Sequence, residues 1–279
     1  MQKTKTSSIL RALSAAALAC LATAATAPAF AAESDAHIAR DVQEIQNLMS
    51  RRAFYHSVGR NELELALWAK KSPIRWAQNQ GCWVGMDSLK VYYDDINRKM
   101  QAGDLKHLAT LNPAIKDVPE NRGIGNNAIH LLTTPIIEIA GDGRTAKGMW
   151  YTPGIIMSTS DGKTPTAFWI WERYGVDFIR EDGHWAFLHV QVNTDFMNPM
   201  GSPMQLQRED AAAMGSEGAP KSAAPGPNMP EGLKIPGPDV PKQLYREFGA
   251  TRVPVLVPAL PEPYETLSKT FEYADCGAK

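Results

Sequence analysis

An α+β fold is predicted from three observations: helical periods come first, long alternating runs follow, and strands and helices do not interleave as βαβ units. The most telling stretch runs from Phe168 to Phe196, FWIWERYGVDFIREDGHWAFLHVQVNTDF. Its residues alternate along two arms about Glu181-Asp182-Gly183. An Asp-Gly pair between alternating arms is the strongest short hairpin signal. Strands this long and this aromatic bend, and a bent sheet walls a pocket.

Residues 1–31 read as a secretory signal peptide. Lys3, Lys5 and Arg11 form a positive start, Ala12 to Ala27 an apolar run, and Ala29-Phe30-Ala31 puts small residues where a signal peptidase reads. The run is too short to span a bilayer, and nothing later resembles a membrane helix. No twin-arginine pair is present, so general secretion to the periplasm or the exterior is expected. Cys20 follows Leu18-Ala19, but Ala17 stands where a lipobox prefers Leu. Cys20 is therefore read as an ordinary residue of the apolar run, not a lipoprotein site.

Residues 32–200 form the expected domain. Ile38, Val42, Ile45, Leu48, Met49 and Ala53 recur at mostly three- and four-residue steps, an amphipathic helix over 38–57 that Gly59 ends. Asn61 caps a second helix, Glu62 to Lys71, and a third runs from Met86 to Met100, opened by Asp87 and closed by Gly103. Strands follow at Ala128 to Ala140 and Ala146 to Ser158, joined by Gly141-Asp142-Gly143. Residues 201–242 are rich in Pro, Gly, Ala and Ser and read as a linker that buries no core. Residues 243–279 regain apolar content, as in Val253-Pro254-Val255-Leu256-Val257, and read as an arm docking on the body or on a neighbouring subunit.

Charge excludes some functions. Without Lys3, Lys5 and Arg11 the 29 basic residues fall by three against 30 acidic ones, a formal charge of about −4 with no basic cluster. That argues against a nucleic-acid partner. Cys82 and Cys276 remain outside the leader, and their pairing is left open. No CxxC or HExxH spacing occurs, so no metal site is indicated.

Three segments resemble the SnoaL-like branch of the nuclear-transport-factor-two-like superfamily. His130 to Ile139 (HLLTTPIIEI) is similar to its "RH-x-x-x-N-P-x-I-E-V" strand, with Ile129 and Thr134 in place of Arg and Asn. Arg173-Tyr174 to Asp177-Phe178 resembles its "RY-x-D-x-F-V-R-E-D-G" strand, and Trp185 to His189 (WAFLH) its closing "W-x-I-x-H" strand. With the first helices the resemblance covers about residues 38–198. It implies a curved antiparallel sheet wrapped around a long N-terminal helix, a cone with an apolar pocket, here with a C-terminal extension. Relatives of this fold are usually dimers or trimers, which implies a homodimer or homotrimer.

The resemblance also implies site residues. His130 sits five residues before Pro135, where related dehydratases place a catalytic histidine; its alternative is a strand histidine satisfied by the backbone. Those enzymes pair a tyrosine with an aspartate on the first helix. Alignment on Gly59 and Trp68 puts Arg52 and Ser57 at those positions, with Tyr55 and His56 close by. Arg52 would stabilise a phenolate, carboxylate or enolate as a fixed positive charge. His189, Gln191 and Asn193 alternate on the closing strand with Trp185 and Phe187; on a concave face His189 is a second acid/base candidate. Trp68, Trp83, Trp150 and Trp171 suit a broad pocket for flat ligands, with Tyr174, Asp177, Gln191 and Asp195 as polar groups.

Two functions are compatible with these residues. The first is a cofactor-independent lyase or isomerase on a hydrophobic, oxygenated, aromatic molecule such as a lignin-derived dimer, acting by loss of water or, in a retro-aldol step, of formaldehyde. His130 would be the acid/base, with Tyr55, Arg52 or His189 stabilising the oxyanion. The alternative is a non-catalytic periplasmic small-molecule binding protein using the same pocket. Convergence of His130 with Tyr55, Arg52 or His189 separates the two.

Overall fold

The computed structural model describes residues 27–159, 163–202 and 237–277. Most of the predicted leader and of the predicted linker lies outside these residues. Between Glu44 and Ile45 the chain divides into two compact units, the first ending within helix α1 (Ala27–Ser57). The sheet and everything packed on it belong to the second unit.

Helix α1 buries Ile45, Leu48, Met49, Arg52 and Ala53, a single face at three- and one-residue steps. Gly59 closes it at φ +69. The amide of Gly59 donates to the His56 carbonyl and that of Arg60 to the Tyr55 carbonyl, the reciprocal end pattern a left-handed glycine permits. Helix α2 (Asn61–Leu65) is shorter than predicted. Sheet pairing competes for its tail: Leu67 accepts from the Phe187 amide, Ala69 donates to the Phe187 carbonyl, and the Glu181 carboxylate takes the amides of Lys70 and Lys71. Next comes a strand pair not anticipated, β1 (Arg75–Gln78) and β2 (Gly81–Val84).

Helix α3 (Gly85–Lys90) leads through a π-helical turn, Val91–Ile96, into α4 (Asn97–Leu111). Gly103 does not end it, because Leu105 and Leu108 beyond are buried and hold the next turns in place. A π turn accommodates one extra residue. Tyr93 is thereby buried beside α1, while Tyr92 packs on Trp76 and Trp83.

With β3 (Asn126–His130), β4 (Thr133–Ile139), β5 (Thr145–Ser158), β6 (Thr166–Glu181), β7 (His184–Pro199) and β8 (Val240–Pro241), the sheet has the order β3-β5-β6-β7-β1-β2-β8, and β4 pairs with β5 beside this path. β3 (Asn126–His130) and β4 (Thr133–Ile139) pair with successive halves of β5 (Thr145–Ser158). They replace the single strand expected over Ala128 to Ala140. Thr134 takes φ +46 there, and Pro135 has no amide to donate. β1 pairs in parallel with β7, so the sheet is mixed and not wholly antiparallel as expected. The long hairpin is as predicted: β6 (Thr166–Glu181) and β7 (His184–Pro199) meet at Asp182-Gly183, both at positive φ. The inner face carries Tyr174, Val176, Phe178, Phe187, Val190 and Val192 against Ile45, Leu48 and Met49 of α1, the centre of the core.

Register shifts in the hairpin leave Leu188 and Asp195 as extra residues on β7. The shift at Leu188 turns His189, Gln191 and Asn193 to the opposite face from Phe187. Residues 237–277 dock on this outer face. β8 (Val240–Pro241) extends the sheet, and a disulfide joins Cys82 to Cys276 with 6.1 Å between Cα atoms. Lys147 and Asp177, both without exposure, pair at 2.7 Å beneath the arm. Asp177 also accepts from the Tyr273 amide at 2.8 Å and the His189 ring at 2.9 Å. Among the described residues no helix is long and apolar enough to cross a membrane.

Candidate active site

The inner side of the sheet meets α1 at a buried chain of ionisable groups. Arg52 lies on the buried stripe of α1, and His56 lies one turn further along the same side. The Arg52 guanidinium donates to the Tyr93 hydroxyl at 3.0 Å and lies 3.0 Å from the Glu64 carboxylate. Glu64 holds His56 Nδ1 at 3.2 Å through its other oxygen. His130, the last residue of β3, faces His56 with ring centroids 5.1 Å apart. Behind His130 stands Glu172 of β6, 3.2 Å from Nδ1. The hydroxyls of Tyr174 and Thr194 donate to Glu172 at 3.0 and 3.1 Å. Arg52 closes the circuit by lying 4.9 Å from the centre of the Tyr174 ring. The Arg52–Glu64 and His130–Glu172 contacts are close without being well aligned as hydrogen bonds.

Two histidine–glutamate pairs therefore confront each other. Burial alone would push both carboxyls up. For Glu64 the nearby Arg52 and His56 outweigh burial, and for Glu172 the adjacent His130 and the bonds from Tyr174 and Thr194 do, so both lie below the usual range. Both remain carboxylates at neutral pH. Burial drives the Tyr93 and Tyr174 phenols upward, which keeps them protonated donors. Two carboxylates against one guanidinium give the cluster an excess of negative charge beside the two imidazoles. With Glu172 and Glu64 at the Nδ1 atoms, the Nε2 atoms are left for chemistry. His56 retains 26% side-chain exposure against 6% for His130, so His56 stands toward solvent.

Of the sequence-predicted residues, this network contains His130, Arg52 and Tyr174. Tyr55 is half-buried and takes no part in it. Trp68, Trp83 and Trp150 are buried in the core, where they pack against apolar neighbours. His189, Asp177, Gln191 and Asp195 lie on the outer face, a correction to the expectation that they share the pocket with His130; the extra residue at Leu188 turns His189 and Gln191 outward, Asp177 is outward by the alternation of β6 opposite His189, and Asp195 is itself an extra residue. His189 and Asp177 bond each other, Gln191 accepts from the Ala274 amide, and Asp195 pairs with Arg173. Trp171 is also outward, stacked on Phe196. Glu64, Glu172 and Tyr93 were not anticipated. Glu172 left a sequence signal, a carboxylate at an inward position of the series Ile170, Tyr174, Val176, Phe178. Among the described residues no group of three or more His, Cys, Asp or Glu is arranged to hold a metal ion.

The SnoaL-like domain model matches residues 38–191. Among solved structures, the chain is similar to a hexachlorocyclohexane dehydrochlorinase (LinA) type 2, with 13% identity over 62% of this chain and 98% of that one, at a TM-score of 0.44. It is similar to the LinA-type3 enzyme from Novosphingobium barchaimii LL02, with 14% identity over 62% and 99% of the chains, at 0.41. An NTF2-like protein with a cystatin-like fold from Novosphingobium aromaticivorans aligns with 14% identity over 61% and 88%, at 0.39. No curated protein matches.

Proposed function

The chain belongs to the SnoaL-like domain family, and from that premise we propose that it is a cofactor-independent lyase acting on a hydrophobic, oxygenated, aromatic small molecule. The observation that carries the proposal is the pair of facing imidazoles, each backed by a buried carboxylate. In a dehydration, neutral His130 takes a proton from carbon through Nε2. The released electron pair forms the carbon–carbon double bond, and the neighbouring carbon–oxygen bond breaks. Protonated His56 gives its proton to the departing hydroxide, and water leaves. The two rings end with exchanged protonation, and a proton passing between them, directly or through solvent at His56, restores the start. In a retro-aldol variant His130 removes a hydroxyl proton instead, the oxygen's electron pair forms the carbonyl of formaldehyde, and the electron pair of the broken carbon–carbon bond passes to the remaining carbon, which takes the proton from His56.

Glu172 holds the His130 tautomer and stabilises the imidazolium, while Glu64 does the same for His56. Arg52 fixes Glu64 and adds positive charge to a water-poor site where charge develops. The expected leader over residues 1–31, together with the Cys82–Cys276 bridge, supports work in an oxidising compartment outside the cytoplasm. The test is mass-spectrometric screening of hydroxylated aromatic compounds for loss of water or formaldehyde, with His130→Ala as control. A turnover that falls by about 10²–10⁴ in His130→Ala supports the role. Unchanged turnover removes His130 from the mechanism, and saturable binding with no product at all favours the binding-protein reading.

A further inference from the structure

A cavity lies on the outer face, across the sheet from His130, since its lining residues Trp171 and Arg173 flank the inward Glu172. It has a volume of about 730 Å³ and is bounded by Trp171, Arg173, Asp195 and Phe196 of the sheet and by residues of the arm between Gln243 and Val257. That volume lies within the range of small-molecule sites. Its walls are pinned to the sheet by polar groups. Arg173 donates to both Asp195 oxygens at 2.9 Å and to the carbonyls of Val255 and Val257 at 2.9 and 3.1 Å. The Tyr245 hydroxyl donates to Asp195, and the Phe248 amide donates to the Asp195 carbonyl at 2.7 Å. Arg252 folds back on the carbonyls of Glu247 and Phe248 and stiffens the far wall.

These bonds use up the polar groups at the base and leave rings and aliphatic side chains facing the space. Trp171 and Phe196 stack with centroids 6.3 Å apart and planes 24° apart. Trp171 is 38% and Phe248 49% exposed, high for aromatic side chains in a folded chain. The charge is not balanced. Three arginines (Arg173, Arg246 and Arg252) meet two carboxylates (Asp195 and Glu247), and Arg246 is exposed at the rim. Burial raises the Glu247 carboxyl despite Arg252, which weakens it as a counter-charge.

We propose that this cleft is a binding site, separate from the His130 site, for planar aromatic compounds that carry one negative charge, such as aromatic carboxylates. The ring lies against Trp171 and Phe248, and the carboxylate meets Arg246. Preformed walls mean that little ordering opposes binding. The test is calorimetric titration of the full chain with naphthoate as probe and naphthalenemethanol as its neutral counterpart. Naphthoate is expected to fill one saturable site. Trp171→Ala and Phe248→Ala should each weaken it at least about tenfold, as truncation of an aromatic anchor does. Both side chains are partly exposed, so these variants should fold, and circular dichroism checks that. Arg246→Ala should weaken naphthoate by roughly threefold and leave the neutral compound unchanged. His130→Ala and Glu172→Gln should bind as the unaltered chain does. The proposal is overturned by the absence of saturable binding, by full affinity in Trp171→Ala and Phe248→Ala, or by loss of binding in His130→Ala. Equal affinity for the neutral compound overturns its charge requirement.

Discussion

Replacing Asp177 by alanine isolates one buried charge. Lys147 and Asp177 have no exposure, and Asp177 receives the Lys147 ammonium, the His189 ring and the Tyr273 amide. Removing one partner of a buried pair costs about 3–5 kcal/mol, because the remaining ion keeps its desolvation penalty. Here the ammonium retains the Phe271 carbonyl and lies 4.2 Å from the Phe271 ring and 5.0 Å from that of Tyr273. Cation–π contacts of this kind soften the loss, which places Asp177→Ala at the low end, about 3 kcal/mol. For a domain of this size that is a fall in melting temperature of roughly 6–12 °C. The assay is urea unfolding followed by circular dichroism, beside thermal melts at one pH. The double variant Lys147→Met/Asp177→Leu, which deletes both charges, should recover more than half of the loss. A change under about 0.5 kcal/mol in Asp177→Ala, or a double variant no better than the single one, would refute the reasoning.

Other outcomes rest on the same geometry. Glu172→Gln preserves shape but removes the charge behind His130, so turnover should fall by about 10²–10⁴ with the fold intact; steady-state kinetics and circular dichroism read this. Glu64 and Glu172 lie below their ordinary value of 4.5 in the folded chain, so their stabilisation is present above that value and lost as pH falls through the lower, folded one. Stability measured in urea should therefore drop below about pH 4.5, and less steeply in Glu64→Gln or Glu172→Gln. Reducing the Cys82–Cys276 bridge, or Cys276→Ser, frees a loop of 194 residues and should cost up to about 5 kcal/mol. A Cβ at Gly175 would collide with the Tyr273 ring and Pro258, so Gly175→Ala should cost about 1–3 kcal/mol in urea unfolding and loosen the arm to limited proteolysis.

The hairpin was legible because its signals are local: Asp-Gly supplies the turn, and alternation supplies the faces. The short strands Arg75–Gln78 and Gly81–Val84 were not, since the first is held by pairing with β7 and the second with β8, each more than a hundred residues later in the chain. Local propensity over four residues cannot announce such a partner. His130 and Arg52 were legible only through family resemblance. Glu172 could have been found without it, as the one carboxylate at an inward position among Ile170, Tyr174, Val176 and Phe178. The face of His189 was not legible, because nothing in Phe187-Leu188-His189 marks Leu188 as the extra residue. The π turn likewise leaves no local sign; its Tyr93 reaches Arg52 while its Tyr92 packs on Trp76 and Trp83.

The carboxy-terminal arm also constrains the order in which the protein can be completed. Synthesis proceeds from the amino end, and Asp177 waits 96 residues for the amide of Tyr273, Lys147 longer still for the carbonyl of Phe271. Until those residues emerge, the outer face of the sheet keeps its charges in water and its cysteine, Cys82, unpaired. The inner face, whose partners on α1 are made first, can already have condensed. Maturation is thus staged: the two histidines can be assembled before the arm arrives, and the closing of the arm is the step that locks the finished molecule.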